Sequence, residues 1–182
     1  MNSDTTKHIV IINGSGGVGK DAFCRSCSRY ARCAVRSSVE PIKDIARQIG
    51  WDGGKSEKDR KFLADMKYLV SKYNDYPMTW MRGAVNSFNG FGDEDEILFL
   101  HIREPEEIDR AAKEFGAVKV LVANPRIPKI TSNAADAGVD GCVYDYVVYN
   151  DGSLSDLDGM AADFVYWLRS GKMRRPDTTI SL

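Results

Sequence analysis

Lys7-His8-Ile9-Val10-Ile11-Ile12-Asn13-Gly14-Ser15-Gly16-Gly17-Val18-Gly19-Lys20-Asp21 is the stretch on which the reading of this chain turns. Residues 7–13 form an apolar run without alternation, the pattern of a strand buried on both faces of a parallel sheet. Glycines follow it, and residues 22–33 then have helical character. Glycine lets a backbone fold tightly around an anion with its amide N–H groups turned inward. The start of the next helix adds the positive end of its dipole. Lys20 supplies a mobile point charge for β- and γ-phosphates. Residues 14–20 match G-x-x-x-x-G-K between a strand and a helix, which implies binding of the phosphates of a nucleoside triphosphate. A glycine-rich turn without a ligand is the plain alternative, and it leaves the lysine and the strand–loop–helix frame unexplained.

Asp21 stands where the pattern usually has Ser or Thr. A hydroxyl there ordinarily ligates Mg²⁺. A carboxylate binds Mg²⁺ directly or through water, or serves as a first-turn acid with no metal role. Both readings of Asp21 stay open at this point.

Outward from the loop, strands are expected at residues 35–39, 97–102, 118–123 and 144–149. Helices are expected at 41–49, 57–73, 77–88, 105–115 and 154–168, with Pro41 and Gly116 as punctuation. Residues 124–141 are irregular and 172–182 form a loose tail. Strands alternating with helices predict an α/β sandwich with a mostly parallel sheet. Ligands of such sheets sit at the carboxyl ends of the strands. That rule gathers the glycine loop, the segment after Ile102 and the segment after Ala123 on one edge.

A chain of 182 residues suits one domain, spanning 1–182. Its residues are 43% apolar, and 25 basic and 26 acidic side chains leave a formal charge of -1. That balance gives no electrostatic case for nucleic acid or a membrane surface as partner, while a small anionic ligand needs only a local site. No leader pattern and no apolar run of about 20 residues is present, so a cytoplasmic location is expected. The four cysteines agree, since Cys24, Cys27 and Cys33 lie close together and Cys142 far away, a poor disulfide framework.

Four stretches resemble the P-loop nucleoside monophosphate kinases, and more narrowly the phage-type deoxynucleoside monophosphate kinases and the animal-type phosphomevalonate kinases. They are Gly19-Lys20-Asp21; Ser38-Val39-Glu40-Pro41-Ile42-Lys43-Asp44-Ile45-Ala46; Ile102-Arg103-Glu104-Pro105-Glu106-Glu107-Ile108; and the run Tyr144-Asp145-Tyr146-Val147-Val148-Tyr149-Asn150-Asp151-Gly152-Ser153-Leu154. Their order along nearly the whole chain carries the likeness. The resemblance implies a three-layer sandwich with a parallel five-stranded sheet, an acceptor-binding helical insert at about 40–90 and a short lid at about 124–141. It implies ATP with Mg²⁺, and phosphoryl transfer to a small-molecule phosphate acceptor. The acceptor is a (deoxy)nucleoside monophosphate, or alternatively another phosphorylated molecule such as phosphomevalonate. A nucleotide-binding protein without transferase activity is the further alternative, because His101 stands where the family often carries an Asp near the metal.

Phosphoryl transfer needs positive charge around the moving group. Arg103 follows a buried strand, and its planar fork suits phosphate; otherwise it is a solvated partner of Glu106 or Glu107. Lys43 and Arg60 fall in the expected acceptor region, with Arg47 and Lys61 as competitors and a charged helix face as the ordinary explanation. Arg126 and Lys129 fall in the expected lid, where closure brings cations onto phosphates, or else on a basic loop. Glu40, held extended before Pro41, is placed either to accept a hydrogen bond from the acceptor or to cap the next helix. Asn150 and Asp151 lie near the nucleotide base by resemblance; alone, Asn-Asp-Gly is a turn. Cys24 and Cys27 are read as small core residues, and His8 and His101 form no metal pattern. Tyr68, Tyr73, Tyr76, Trp80 and Phe88 are read as packing residues of the insert, one of which an acceptor base would want.

Overall fold

The computed structural model describes residues 6–90, 92–128 and 141–171. Five strands, β1 (His8–Asn13), β2 (Cys33–Ser37), β3 (Ile97–His101), β4 (Val118–Ala123) and β5 (Tyr146–Tyr149), form one parallel sheet in the order β2-β3-β1-β4-β5. Among the described residues, six helices connect and cover them: α1 (Lys20–Cys27), α2 (Glu40–Gln48), α3 (Glu57–Asn74), α4 (Tyr76–Asn89), α5 (Pro105–Phe115) and α6 (Leu154–Ser170).

The period-two alternation of the central strands builds two cores on opposite faces of the sheet. Val10 and Ile12 of β1 point to one face, with Phe99, Val120 and Val148, where α1 and α6 cover them through Phe23, Cys27, Leu157 and Phe164. Ile9 and Ile11 point to the other, with Leu98 and Leu100, beneath Met78, Met81, Val85 and Phe88 of α4 and Ile108 and Ala111 of α5. Burial on both faces is why these strands read as unbroken apolar runs.

The helices 105–115 and 57–73 fall where the sequence puts them, with α3 one residue longer. Ser56 and Asp59 form a capping box at the start of α3, and Ser153 and Asp156 form another at α6. Other bounds differ. The first helix closes at Cys27 rather than 33, because residues 28–32 turn to bring Cys33 to the sheet edge. The last strand begins at Tyr146, not 144. Asp145 instead clamps Lys119 through its backbone and carboxylate, which turns the Tyr144 hydroxyl onto Asn13.

Within the insert, α3 lies on α2 and α4 rather than in the core. The packing expectation for its aromatics holds for Phe88, which is buried, and fails for Tyr68 and Tyr73, which are 64% and 87% exposed. Period alone does not say which side of an outlying helix is covered. No helix among the described residues is long and apolar enough to cross a membrane.

Candidate phosphate-binding site

Parallel pairing puts the carboxyl ends of all five strands on one edge, so the segments that follow them meet there. Residues 14–19 leave β1 and enter α1 at Lys20. Gly14, Gly17 and Gly19 have φ of 142°, 84° and 99°, values that residues with a Cβ adopt at a cost. At two of them the space is also closed. A Cβ on Gly14 would lie 2.2 Å from the Val122 carbonyl oxygen, and one on Gly19 would lie 2.2 Å from Nδ2 of Asn150.

The loop is braced at both ends by asparagines. Asn13, fully buried, accepts from the Gly14 amide through Oδ1 at 2.8 Å and donates through Nδ2 to the Tyr144 hydroxyl at 2.8 Å. Asn150 donates through Nδ2 to the Val18 carbonyl at 2.8 Å, and its own amide donates to the Ala123 carbonyl at 2.8 Å. Sequence reasoning gave Asn150 and Asp151 to the nucleotide base by resemblance. The structure shows the Asn150 side chain holding the loop's backbone.

Lys20 is buried, and its Nζ donates to the Gly14 carbonyl and, at 2.9 Å, to the Ser15 carbonyl. The amine therefore lies across the mouth of the glycine loop. The loop offers amides fixed by positive-φ glycines, a helix start and a lysine, and these fit the phosphates of a nucleoside triphosphate.

Asp21 projects outward with its side chain 80% exposed, and its Oδ1 lies 3.9 Å from Nδ1 of His101. His101 ends β3 with its side chain 15% exposed, and its Nε2 lies 3.8 Å from Sγ of Cys24 in the core. Burial pulls the His101 pKa down to about 4; the charge of Asp21 opposes this, while those of Lys20, Arg103 and Lys43 reinforce it. The imidazole is thus neutral at pH 7. A cation here finds one carboxylate, from Asp21, and a ring nitrogen where an all-oxygen set would have a second one. Burial pushes the Cys24 and Cys27 thiols up, and neither belongs to a metal cluster: no group of three His, Cys, Asp or Glu suited to a metal exists among the described residues.

The other candidates sort by position. Ser38, buried after β2, donates its amide to the His101 carbonyl at 3.1 Å, which draws the start of α2 to the site. Glu40 is the first residue of α2, not an extended residue before Pro41, because proline at the second helical position is tolerated there. No side chain caps α2, so the capping role for Glu40 falls away. Burial raises the Glu40 carboxyl, against the pull of Arg36 and Lys43. Arg47 pairs with Asp44 at 2.7 Å and Lys61 with Asp65 at 2.8 Å, so those competitors are helix-face residues. Arg60 stands exposed on the first turn of α3. Arg126 lies exposed just past β4, its amide held by Asn124 Oδ1 at 2.9 Å. Lys129 and most of the expected lid lie outside the described residues.

Lys67 is a residue that sequence reasoning missed. Buried on α3, it donates to Glu104 and, at 2.7 Å, to Glu107, tying the insert to the segment that carries Arg103. Both carboxylates are thereby engaged by a cation other than Arg103. Nothing local marks it, since its partners are 37 and 40 residues away.

Solved structures share this architecture. Shikimate kinase from Aquifex aeolicus superposes with a TM-score of 0.50 at 11% identity, over 90% of this chain and 99% of that one. The likeness is one of fold: a parallel five-stranded sheet covered by helices. A tunicamycin resistance protein from Deinococcus radiodurans gives a TM-score of 0.49 at 14% identity, over 87% of this chain and 95% of that one. A sugar kinase from Janibacter gives 0.48 at 14%, over 91% and 96%. No protein-family model matches the chain, and comparison with curated proteins finds no match.

Proposed function

We propose that this protein is an ATP-dependent phosphotransferase that passes the γ-phosphoryl group to a small phosphorylated acceptor, a (deoxy)nucleoside monophosphate. The observation that carries the reading is the loop of residues 14–20, shaped by three positive-φ glycines and closed by Lys20, with the segments that carry Lys43 and Arg103 leaving the carboxyl ends of β2 and β3 on the same sheet edge.

The chemistry asked of these residues is positioning and charge neutralisation. The amides of residues 16–20 hold the β-phosphate. Lys20 leaves the Gly14 and Ser15 carbonyls and follows the charge toward the γ-phosphate. Arg103 stabilises the moving phosphoryl group, and Arg126 and Lys129 approach it from the segment after β4. Glu40, Lys43 and Arg60 face the acceptor. Mg²⁺ carried with the triphosphate would supply further neutralisation, and Asp21 is the carboxylate that would hold it. An acceptor phosphate oxygen is already ionised at neutral pH, so the transfer requires no general base. The work divides across one domain, with the acceptor insert at about 40–90 and the lid at about 124–141.

The test is ADP release by purified protein with ATP and Mg²⁺ across the common ribo- and deoxynucleoside monophosphates, with phosphomevalonate in the same panel. Release that depends on one or a few nucleotides is expected. Release with phosphomevalonate alone overturns the nucleotide acceptor and keeps the kinase. ATP binding with no release from any acceptor overturns the transferase and leaves a nucleotide-binding protein, the reading that His101 at the end of β3 would favour.

A further inference from the structure

We infer that Lys67 is a positioning residue of the proposed transfer: it sets the insert against the segment that carries Arg103, and so governs how the acceptor is held and not how the nucleotide is held. The inference rests on the kinase reading of the site.

The helix that carries Lys67 has little else to fix it. Among the 18 residues of α3, Lys67 is the only buried one. Among the described residues, α3 contributes no side chain to either apolar core of the sheet. One turn beyond Lys67, the Ser71 hydroxyl is buried without a partner. The seat of α3 therefore depends on polar contacts, where a buried group without a partner is costly.

Those contacts meet one face of α5. Glu104, Glu107, Arg110 and Glu114 recur at helical spacing. Glu104 and Glu107 accept from Lys67, Arg110 donates to Asp75 at 2.6 Å at the joint between α3 and α4, and Glu114 accepts from Arg82 of α4. The members differ in what they can hold. The side chains of Asp75, Arg82, Arg110 and Glu114 are 34 to 46% exposed, and solvent-screened pairs contribute little. Lys67 is 9% exposed and engages two carboxylates at once. Moving α3 along α5 separates a buried ammonium from both of its partners.

Glu104 adjoins Arg103 and caps α5 through its backbone, its carbonyl accepting from the Ile108 amide at 2.9 Å. The chain that leaves β3 with Arg103 is thus gripped from the insert by one ammonium. The phosphate loop stands outside this seam, braced by Asn13 and Asn150. Loss of Lys67 should then disturb the acceptor side of the cleft and spare the nucleotide side.

The experiment compares the unaltered full chain with Lys67→Met, Lys67→Arg and Glu107→Gln. Kinetics are measured with each nucleoside monophosphate, and with phosphomevalonate, that supports ADP release; ATP binding is followed by calorimetric titration. Lys67→Met should raise the acceptor KM about tenfold and change the ATP Kd less than about twofold. Lys67→Arg keeps a charge for both carboxylates and should recover most of the acceptor KM. Glu107→Gln keeps the Lys67–Glu104 contact, should give an intermediate KM, and serves if Lys67→Met does not fold. A purely structural role lowers the active fraction, and so kcat, without moving either constant. An acceptor KM unchanged in every variant that folds, or ATP and acceptor weakened equally, overturns the positioning role and leaves the kinase reading standing. ATP binding by the unaltered chain with no turnover of any acceptor overturns the kinase reading and this role with it.

Discussion

The side-chain amide of Asn150 donates to the carbonyl of Val18 at 2.8 Å across 132 residues of chain, and it occupies the space that a Cβ on Gly19 would need. The last strand thereby sets the shape of a loop built at the start of the molecule. Removing the amide leaves the Val18 carbonyl without its donor, and a lost hydrogen bond of this kind costs about 1 kcal/mol. Asn150→Ala should weaken ATP binding about fivefold to tenfold with little change in Tm, as calorimetric titration and a thermal melt would show. Gly19→Ala should weaken it more, because it adds a forced left-handed residue to the collision with Asn150. An Asn150→Ala protein with undiminished affinity would remove Asn150 from the description of the site.

Lys20 carries the charge of the loop. Lys20→Ala should reduce ATP affinity about a hundredfold or abolish turnover, since a charge-assisted contact to phosphate is lost, while circular dichroism stays native. Full ATP affinity in that variant would sink the phosphate-loop reading.

Lys67 is predicted to matter for stability more than any surface cation. Burial pushes the Glu104 carboxyl up, but the Lys67 charge outweighs it and the net shift is down; for Glu107 burial wins and the net shift is up. Lys67→Met leaves two half-buried acids beside each other with no cation. Breaking a fully buried pair from one side costs about 3 to 5 kcal/mol, and solvent reaching the 39% exposed Glu104 side chain reduces this to about 1 to 3 kcal/mol. Urea unfolding should show a loss on that scale, partly recovered by adding Glu107→Gln. A loss within experimental error would show that the acids are solvated in the folded protein.

Acid should destabilise the fold at both ends of the sheet: at the phosphate-loop edge through His101, which burial holds at about 4, and at the opposite end. There Arg169 grips Glu96 through two hydrogen bonds of 2.6 and 2.7 Å, and a depression of about 380 Å³ opens beside them against residues 28–32. The Arg169 hydrogen bonds hold the Glu96 carboxyl below its ordinary value of 4.5. Burial holds His8, whose Nε2 is buried without a partner, below its ordinary 6.5. Both folded-state values are depressed, so both contributions are fully present above the unfolded values. As pH falls below 6.5 the unfolded chain takes a proton on His8 that the folded chain refuses, and below 4.5 the same holds for Glu96. Stability measured by urea unfolding should therefore fall steadily from pH 7 to pH 4. His8→Gln should shallow the upper part of that curve, with the His101 contribution remaining, and Arg169→Met should flatten the lower part. Stability that rises on acidification would reverse the sign assigned to both groups.

The phosphate loop was legible because its signal is local. Seven residues with fixed spacing, a strand before and a helix after, state both the conformation and the chemistry. The helix of residues 105–115 was legible for the same reason, with Pro105 opening it and Gly116 closing it in the left-handed conformation at φ 62°. The α/β fold itself followed from strands that are apolar on both faces.

What the loop is made to rest on was not legible. The brace from Asn150, the Asn13–Tyr144 hydrogen bond and the Lys67 bridge join residues far apart in the chain, and a polar residue that reads as a turn or a helix face carries no mark of its partner. By itself, then, the sequence determined the sheet, the edge on which the candidate site lies and the shape of the loop proposed to hold phosphate, since short-range periodicity and glycine's conformational freedom decide those. Only the tertiary structure decided that Arg47 and Lys61 pair along their own helices, that Glu40 starts a helix without capping it, and that His101 turns one nitrogen to Asp21 and the other to Cys24. Those outcomes depend on how strands register and which way side chains face once buried, and chain-distant packing fixes both.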